Sequence, residues 1–117
     1  GEAIPAVPVT ATLGEALVEM TKKGLGMTAV LDGERRLAGI FTDGDLRRAL
    51  DRNVDLRHAR VADVMTRNGK TVTPDILAAE ALRLMEENKI NGLMVIDEHQ
   101  AVVGAFNMHD LLRAGVV

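Results

Sequence analysis

Apolar positions along the chain change period several times, and the sequence of changes then recurs. Leu13, Ala16, Leu17 and Met20 fall at i, i+3, i+4 and i+7, one face of an α-helix. Thr12 with Glu15 three residues later is a capping-box signal at its start, and Gly24 suits its end. Short apolar runs at 28–31 and 37–41 then predict two strands, joined by the glycine-containing loop Asp32-Gly33-Glu34-Arg35-Arg36. An extended piece at 6–10 precedes the helix, and a second helix is predicted after Thr42.

The same succession returns about 65 residues later without a gap. Val7 falls on Val72, Glu15-Ala16-Leu17 on Glu80-Ala81-Leu82, and Met20 on Met85. Val30, Asp32, Gly39 and Phe41 fall on Val95, Asp97, Gly104 and Phe106. Asp45-Leu46 falls on Asp110-Leu111, and Arg48-Ala49 on Arg113-Ala114. The second half therefore reads as an extended piece at 70–73, a helix carrying Ala78, Ala81, Leu82 and Met85, strands at 93–96 and 102–106, and a last helix after Asn107. Leu77 stands where the first half has Thr12, so Asp75 is expected to cap that helix.

The expected fold class is α/β, in an α+β arrangement: two β-α-β-β-α repeats at 1–52 and 70–117, joined by a connector at 53–69. A lone repeat buries too little surface to be stable. The two are expected to pack sheet to sheet about a pseudo-twofold, leaving clefts between them.

Composition narrows the function. The 117 residues are 47% hydrophobic and 26% charged, the balance of one globular domain. No apolar run approaches the ~20 residues of a membrane span. Gly1-Glu2-Ala3-Ile4-Pro5 has neither a basic start nor a long apolar stretch, so no signal peptide is expected, and the first residue, Gly rather than Met, suggests a piece of a larger protein. There is no cysteine, which rules out disulfides and thiolate metal sites and points to a cytoplasmic setting. His58, His99 and His109 lack metal-ligand spacing. A net charge of −3 and 2% aromatic residues argue against a nucleic-acid surface. With no nucleophile–base set, histidine cluster or phosphate-cradling loop, the chain is not expected to be an enzyme on its own.

The candidate chemistry lies in Gly39-Ile40-Phe41-Thr42-Asp43-Gly44-Asp45 and its counterpart Gly104-Ala105-Phe106-Asn107-Met108-His109-Asp110. Taken as structure alone, Thr42 and Asn107 are N-caps, and Asp45 and Asp110 suit the positive end of a helix. Taken as a site, free N–H groups at a helix start attract phosphate, and a neighbouring carboxylate accepts ribose hydroxyls. Small or polar residues before a strand, in Gly26-Met27-Thr28 and Asn91-Gly92-Leu93, let a base or sugar lie against the backbone.

Repeated halves ending in Gly-apolar-apolar-Thr-x-x-Asp resemble a CBS domain pair (a Bateman module). Val61-Ala62-Asp63-Val64-Met65-Thr66 is similar to the segment that leads into a CBS repeat. The resemblance implies nucleotide ligands in the clefts between repeats, with the motif Thr and Asp holding phosphate and ribose. Thr42, Asp45 and Asp110 match the motif, and Asn107 departs from it.

The strings from Phe41 to Leu50, Asp63 to Asn68 and Met108 to Val117 are further similar to the C-terminal part of bacterial D-arabinose-5-phosphate isomerases. Those enzymes join a catalytic sugar isomerase (SIS) domain to a CBS pair and serve the synthesis of Kdo for lipopolysaccharide. The resemblance implies a regulatory module with no required cofactor. It also implies an anionic effector such as CMP-Kdo or an adenine nucleotide, an SIS domain of the same chain as partner, and a homodimer or homotetramer. The candidate ligand-binding residues are then Met27, Thr28, Thr42, Asp45, Arg47, Lys70, Asn91, Gly92, Asn107, His109 and Asp110, with Arg48, Arg67 and Arg113 as further cations. For each arginine the alternative is a solvated helix face, and for His109 a surface or capping role. Glu80 to Lys89 reads as an exposed helix face with i,i+4 pairs. An assembly module without ligand is the competing function.

Overall fold

In the computed structural model, which describes residues 4–108, the sequence repeat becomes a repeat of backbone. The first copy runs β1 (Ala6–Pro8), α1 (Leu13–Lys23), β2 (Met27–Leu31), β3 (Leu37–Thr42) and α2 (Asp43–Asp51). The second runs β4 (Thr71–Val72), α3 (Ala78–Asn88), β5 (Gly92–Ile96) and β6 (Val102–Asn107). The helix expected after Asn107 lies outside the described residues, as do His109, Asp110 and Arg113.

Each copy builds a three-stranded sheet. β1 pairs parallel with β2 and β2 antiparallel with β3; β4, β5 and β6 do the same. Even the register shift recurs, between Val30 and Leu31 and between Val95 and Ile96. The two hairpin loops close alike. Asp32 Oδ1 accepts the backbone N–H groups of Glu34 and Arg36 at 2.8 and 2.9 Å, and Asp97 Oδ1 those of His99 and Ala101 at 2.8 and 3.0 Å. A short carboxylate that holds its own following backbone is why aspartate suits such a turn.

Alternation along the strands divides the interior into layers. Val30 and Phe41 point to a core shared with Leu13, Ala16 and Met20 of α1 and with Val61 and Met65 of the connector. Leu93 faces Ala81 and Met85 of α3. Met27, Ala29 and Ile40 turn the other way and share a layer with Met94, backed by Val102 and Ala105. Both sheets are thus covered on two faces, which explains why β2 and β5 read as almost continuous apolar runs.

α1 carries the expected capping box. Thr12 N–H donates to Glu15 Oε1 at 2.8 Å, and Glu15 N–H donates to the Thr12 hydroxyl at 3.1 Å. It ends on Gly24 in the left-handed region, φ 68°. α3 corrects an expectation. Its N-cap is Leu77, which makes no side-chain cap bond, and the Asp75 carboxylate instead takes the hydroxyl of Thr73. α3 ends on Lys89, also left-handed at φ 54°. A side chain there costs about 1 kcal/mol or more relative to glycine.

The connector is tied to the first repeat. One turn of 3-10 helix, Val61–Asp63, buries Val61. Thr66 then exchanges two backbone hydrogen bonds of 2.8 Å with Ile40 of β3.

Several surface carboxylates are held below the usual carboxylate range. The backbone N–H of Thr12 does this for Glu15, those of Arg36 and Glu34 for Asp32, and those of Ala101 and His99 for Asp97. A carboxylate with a depressed folded pKa adds stability that is complete above its unfolded value, and that is lost as pH falls through the folded one. The melting temperature should therefore hold above about pH 5 and fall progressively toward pH 3. Thermal melts of the chain and of an Asp32→Asn, Asp97→Asn double variant test this. The variant should start lower at neutral pH and fall less. Parallel pH profiles would contradict the assignment.

Candidate functional site

The strand-to-helix corner at Thr42 is the centre of the site. Thr42 is extended, φ −122° and ψ 169°, and caps α2. Its hydroxyl accepts from Asp45 N–H at 3.2 Å, and its N–H donates to Asp45 Oδ2 at 3.0 Å. Asp45 is 4% exposed yet carries further partners. The hydroxyls of Thr42 and Thr66 donate to it at 3.1 and 3.0 Å, and the Arg48 guanidinium at 2.6 Å. The carboxylate is thus surrounded by donors, as a buried charge must be. Thr66 belongs to the connector, so Asp45 joins cap, helix and connector at one point.

Beside this corner lies a cavity of about 390 Å³, within the ~300–1,000 Å³ usual for small-molecule sites. The first repeat contributes Gly26, Met27, Ile40, Thr42, Asp43 and Arg48. The connector and second repeat contribute Thr66, Lys70, Lys89, Ile90, Asn91 and Gly92. Apolar groups and polar ends therefore converge from both halves. Gly92 is required by close approach: a Cβ there would stand 2.9 Å from the Met27 methyl and 3.3 Å from the Phe106 carbonyl oxygen. The charged lining is Arg48, Lys70 and Lys89 against Asp43.

A second depression is lined by Gly24, Gly26, Asp43, Asn91, Asn107 and Met108, among others. Asn107 thus borders the pseudo-twofold counterpart of the first cavity rather than the cavity itself. Matching hydrogen bonds brace the two corners, Asp43 N–H to the Gly26 carbonyl at 3.3 Å and Met108 N–H to that of Asn91 at 2.9 Å.

Of the residues singled out in the sequence, Met27, Thr42, Lys70, Asn91 and Gly92 line the first cavity, as does Arg48. Asp45 does not line it; it stands behind Thr42, Thr66 and Arg48, with its oxygens already engaged. Thr28 does not line the cavity: it is fully buried, and strand alternation sends it away from the layer that Met27 and Ala29 share. Arg47 is exposed and does not line the first cavity, and exposed Arg67 donates to the Ala62 carbonyl. His109 and Asp110 lie outside the described residues. The cavity also takes in Lys89, Asp43 and Thr66, which are not among the candidates from sequence. Lys89 reads in sequence as part of a helix face, although its repeat partner Gly24 marks the position as a helix end.

The Asp45 node sets a measurable expectation. Loss of a cap alone costs about 1 kcal/mol. Asp45→Ala also removes the acceptor of the half-buried Thr42 N–H and of the Thr66 hydroxyl, which is exposed and can turn to water, so it should cost about 2 kcal/mol in urea unfolding. Arg48 is 61% exposed and recovers water, which keeps the cost from rising further. A loss of 1 kcal/mol or less would reduce Asp45 to a simple cap.

Comparison with known proteins agrees with this architecture. The CBS domain model matches residues 2–52 and 61–117. An arabinose 5-phosphate isomerase KdsD of Pseudomonas aeruginosa is 62% identical over the whole chain, which spans 36% of that protein's length. A protein with CBS domains from Burkholderia ambifaria superposes at TM-score 0.85, with 28% identity, over 97% of this chain and 82% of its own. The CBS domain pair of protein MJ0100, in complex with 5′-methylthioadenosine and S-adenosyl-L-methionine, superposes at 0.84 with 25% identity, over 97% of this chain and 88% of its own. The chain belongs to the CBS domain family, and its two repeats are a tandem CBS pair.

Proposed function

We propose that the chain is the ligand-sensing regulatory pair of an arabinose 5-phosphate isomerase of Kdo and lipopolysaccharide synthesis. Its ligand is a nucleotide or nucleotide sugar such as CMP-Kdo, held in the cavity between the repeats. The observation that carries this reading is that both repeats line one cavity with apolar groups at Met27, Ile40 and Ile90, a helix start at Thr42, and cations at Arg48, Lys70 and Lys89. A base fits the apolar wall, and a phosphate fits the helix start and the cations. The relatives named as arabinose 5-phosphate isomerase support the parent activity. The adenosyl ligands named with the MJ0100 pair support the ligand class.

In this reading Asp45 positions the site. A ribose diol reaches its carboxylate only by displacing Thr66 or Arg48, whereas Thr42, Lys70 and Asn91 meet ligand directly. Asn107 and the candidates Asp110 and His109 would serve the second cleft. The chain itself turns over no sugar phosphate, and the SIS domain does the chemistry in the cytoplasm. Assembly without ligand is the second reading, favoured by exposed apolar Val18 on α1 and Leu50 on α2, which suit a homodimer or homotetramer.

Calorimetric titration with CMP-Kdo, CMP and AMP separates the two. Saturable binding of at least one is expected. Thr42→Ala should weaken it at least tenfold, about 1.4 kcal/mol, while the variant stays folded by circular dichroism. Absence of heat and of any melting shift with all three would favour the assembly reading.

A further inference from the structure

We infer that Lys89 selects the charge of the effector, and that the Thr42 cleft takes a ligand carrying at least two negative charges over a neutral nucleoside. The inference rests on the reading of that cleft as a nucleotide site and assigns it a residue and a class of ligand.

Three observations converge on Lys89. The first is its place in the repeat. Lys89 occupies the position that Gly24 holds in the first copy, and both are left-handed at the end of a helix. Glycine adopts that backbone without steric cost, so helix termination gives no reason for a lysine there.

The second is its lack of a partner. Lys89 is exposed and lines the cavity, and among the described residues neither it nor Lys70 is in an ion pair. Lys23, at the end of α1, is by contrast bound to Glu19 at 2.9 Å. The third cation of the cavity, Arg48, is held by Asp45. Two lysines without an ion pair, Lys70 just before β4 and Lys89 just after α3, therefore line the cavity together with a helix start from the first repeat.

The third is the charge balance. A chain of net charge −3 places two lysines without an ion pair, Lys70 and Lys89, beside the Asp45-paired Arg48 and against one lining carboxylate, Asp43, in one concave site. Such a site concentrates field and draws anions in. The charge also favours a nucleotide whose phosphate is accompanied by a second anionic group, a further phosphate or a carboxylate, over a neutral adenosyl compound.

The test is calorimetric titration of the chain and of Lys89→Gly, Lys89→Gln and Lys89→Arg with adenosine, AMP, ADP and CMP-Kdo. The wild-type chain should bind the anionic ligands at least tenfold more tightly than adenosine. Lys89→Gly and Lys89→Gln should shrink that preference at least fivefold, and Lys89→Arg should keep most of it. Lys89→Gly should melt no lower than wild type, because glycine relieves the left-handed backbone. An unchanged preference in both neutral variants, or equal losses for adenosine and the anions, would overturn the role of Lys89 and leave the cleft assignment standing. Wild-type binding of none of the four would overturn both.

Discussion

The face-to-face contact between the two small sheets is the constraint on which everything else rests. Neither three-stranded sheet has a second layer of its own on that side. Each supplies half of an apolar slab: Ala29 and Ile40 from one repeat, Met94 and Ala105 from the other. The pairs occupy equivalent strand positions, yet their sizes are exchanged, small-large in one and large-small in the other. Unlike halves can interdigitate where identical ones would collide or leave a void. Met27 and Gly92, another equivalent pair, meet directly, the thioether methyl of one filling the space a side chain on the other would need. Sequence divergence between the repeats is here a requirement of their packing. The cavity opens where that slab ends, so its walls exist only when both repeats are in place.

Asp45 adds a polar tie to this apolar frame. A buried carboxylate is stable only when donors replace the water it has lost. Here the donors come from the cap residue Thr42, from Arg48 one turn along α2, and from Thr66 in the connector. The connector already pairs with β3 at Ile40, next to the cavity wall. A ligand that competes for Arg48 or Thr66 would therefore pull on the segment joining the repeats. This gives a physical route from occupancy of the cleft to the relative placement of the two copies.

The layout of the fold was legible because it depends on period and repetition, which survive in a single sequence. The stripe at Leu13, Ala16, Leu17 and Met20, the boxed cap at Thr12 and the glycine at 24 are all local signals. The site was legible in part. Thr42 announces itself as a cap; Gly92 reads as room for a base or sugar, and the Met27 methyl stands against it. What local pattern could not supply was the occupancy of each group by partners distant in sequence. Asp75 looks like a cap until Thr73 takes its carboxylate. Asp45 looks available to a ligand until Thr66, far along the chain, reaches it. Thr28 looks like a polar lining residue until the alternation of β2 is assigned to its two faces. Lys89 ends a charged run that reads as solvated helix, and only the comparison with Gly24 marks it as the first residue past the helix.

The central claim is that one ligand is held by both repeats at once in the Thr42 cleft. Backbone amide shifts of the intact chain, followed by NMR during titration with CMP-Kdo or AMP, test it most directly. The account predicts that the largest saturable changes appear together at Gly26, Thr42 and Gly44 of the first repeat and at Lys70 and Lys89–Gly92 of the second, with one shared dissociation constant. Changes confined to a single repeat, or spread over the outer faces of α1 and α3 with the cleft silent, would contradict it.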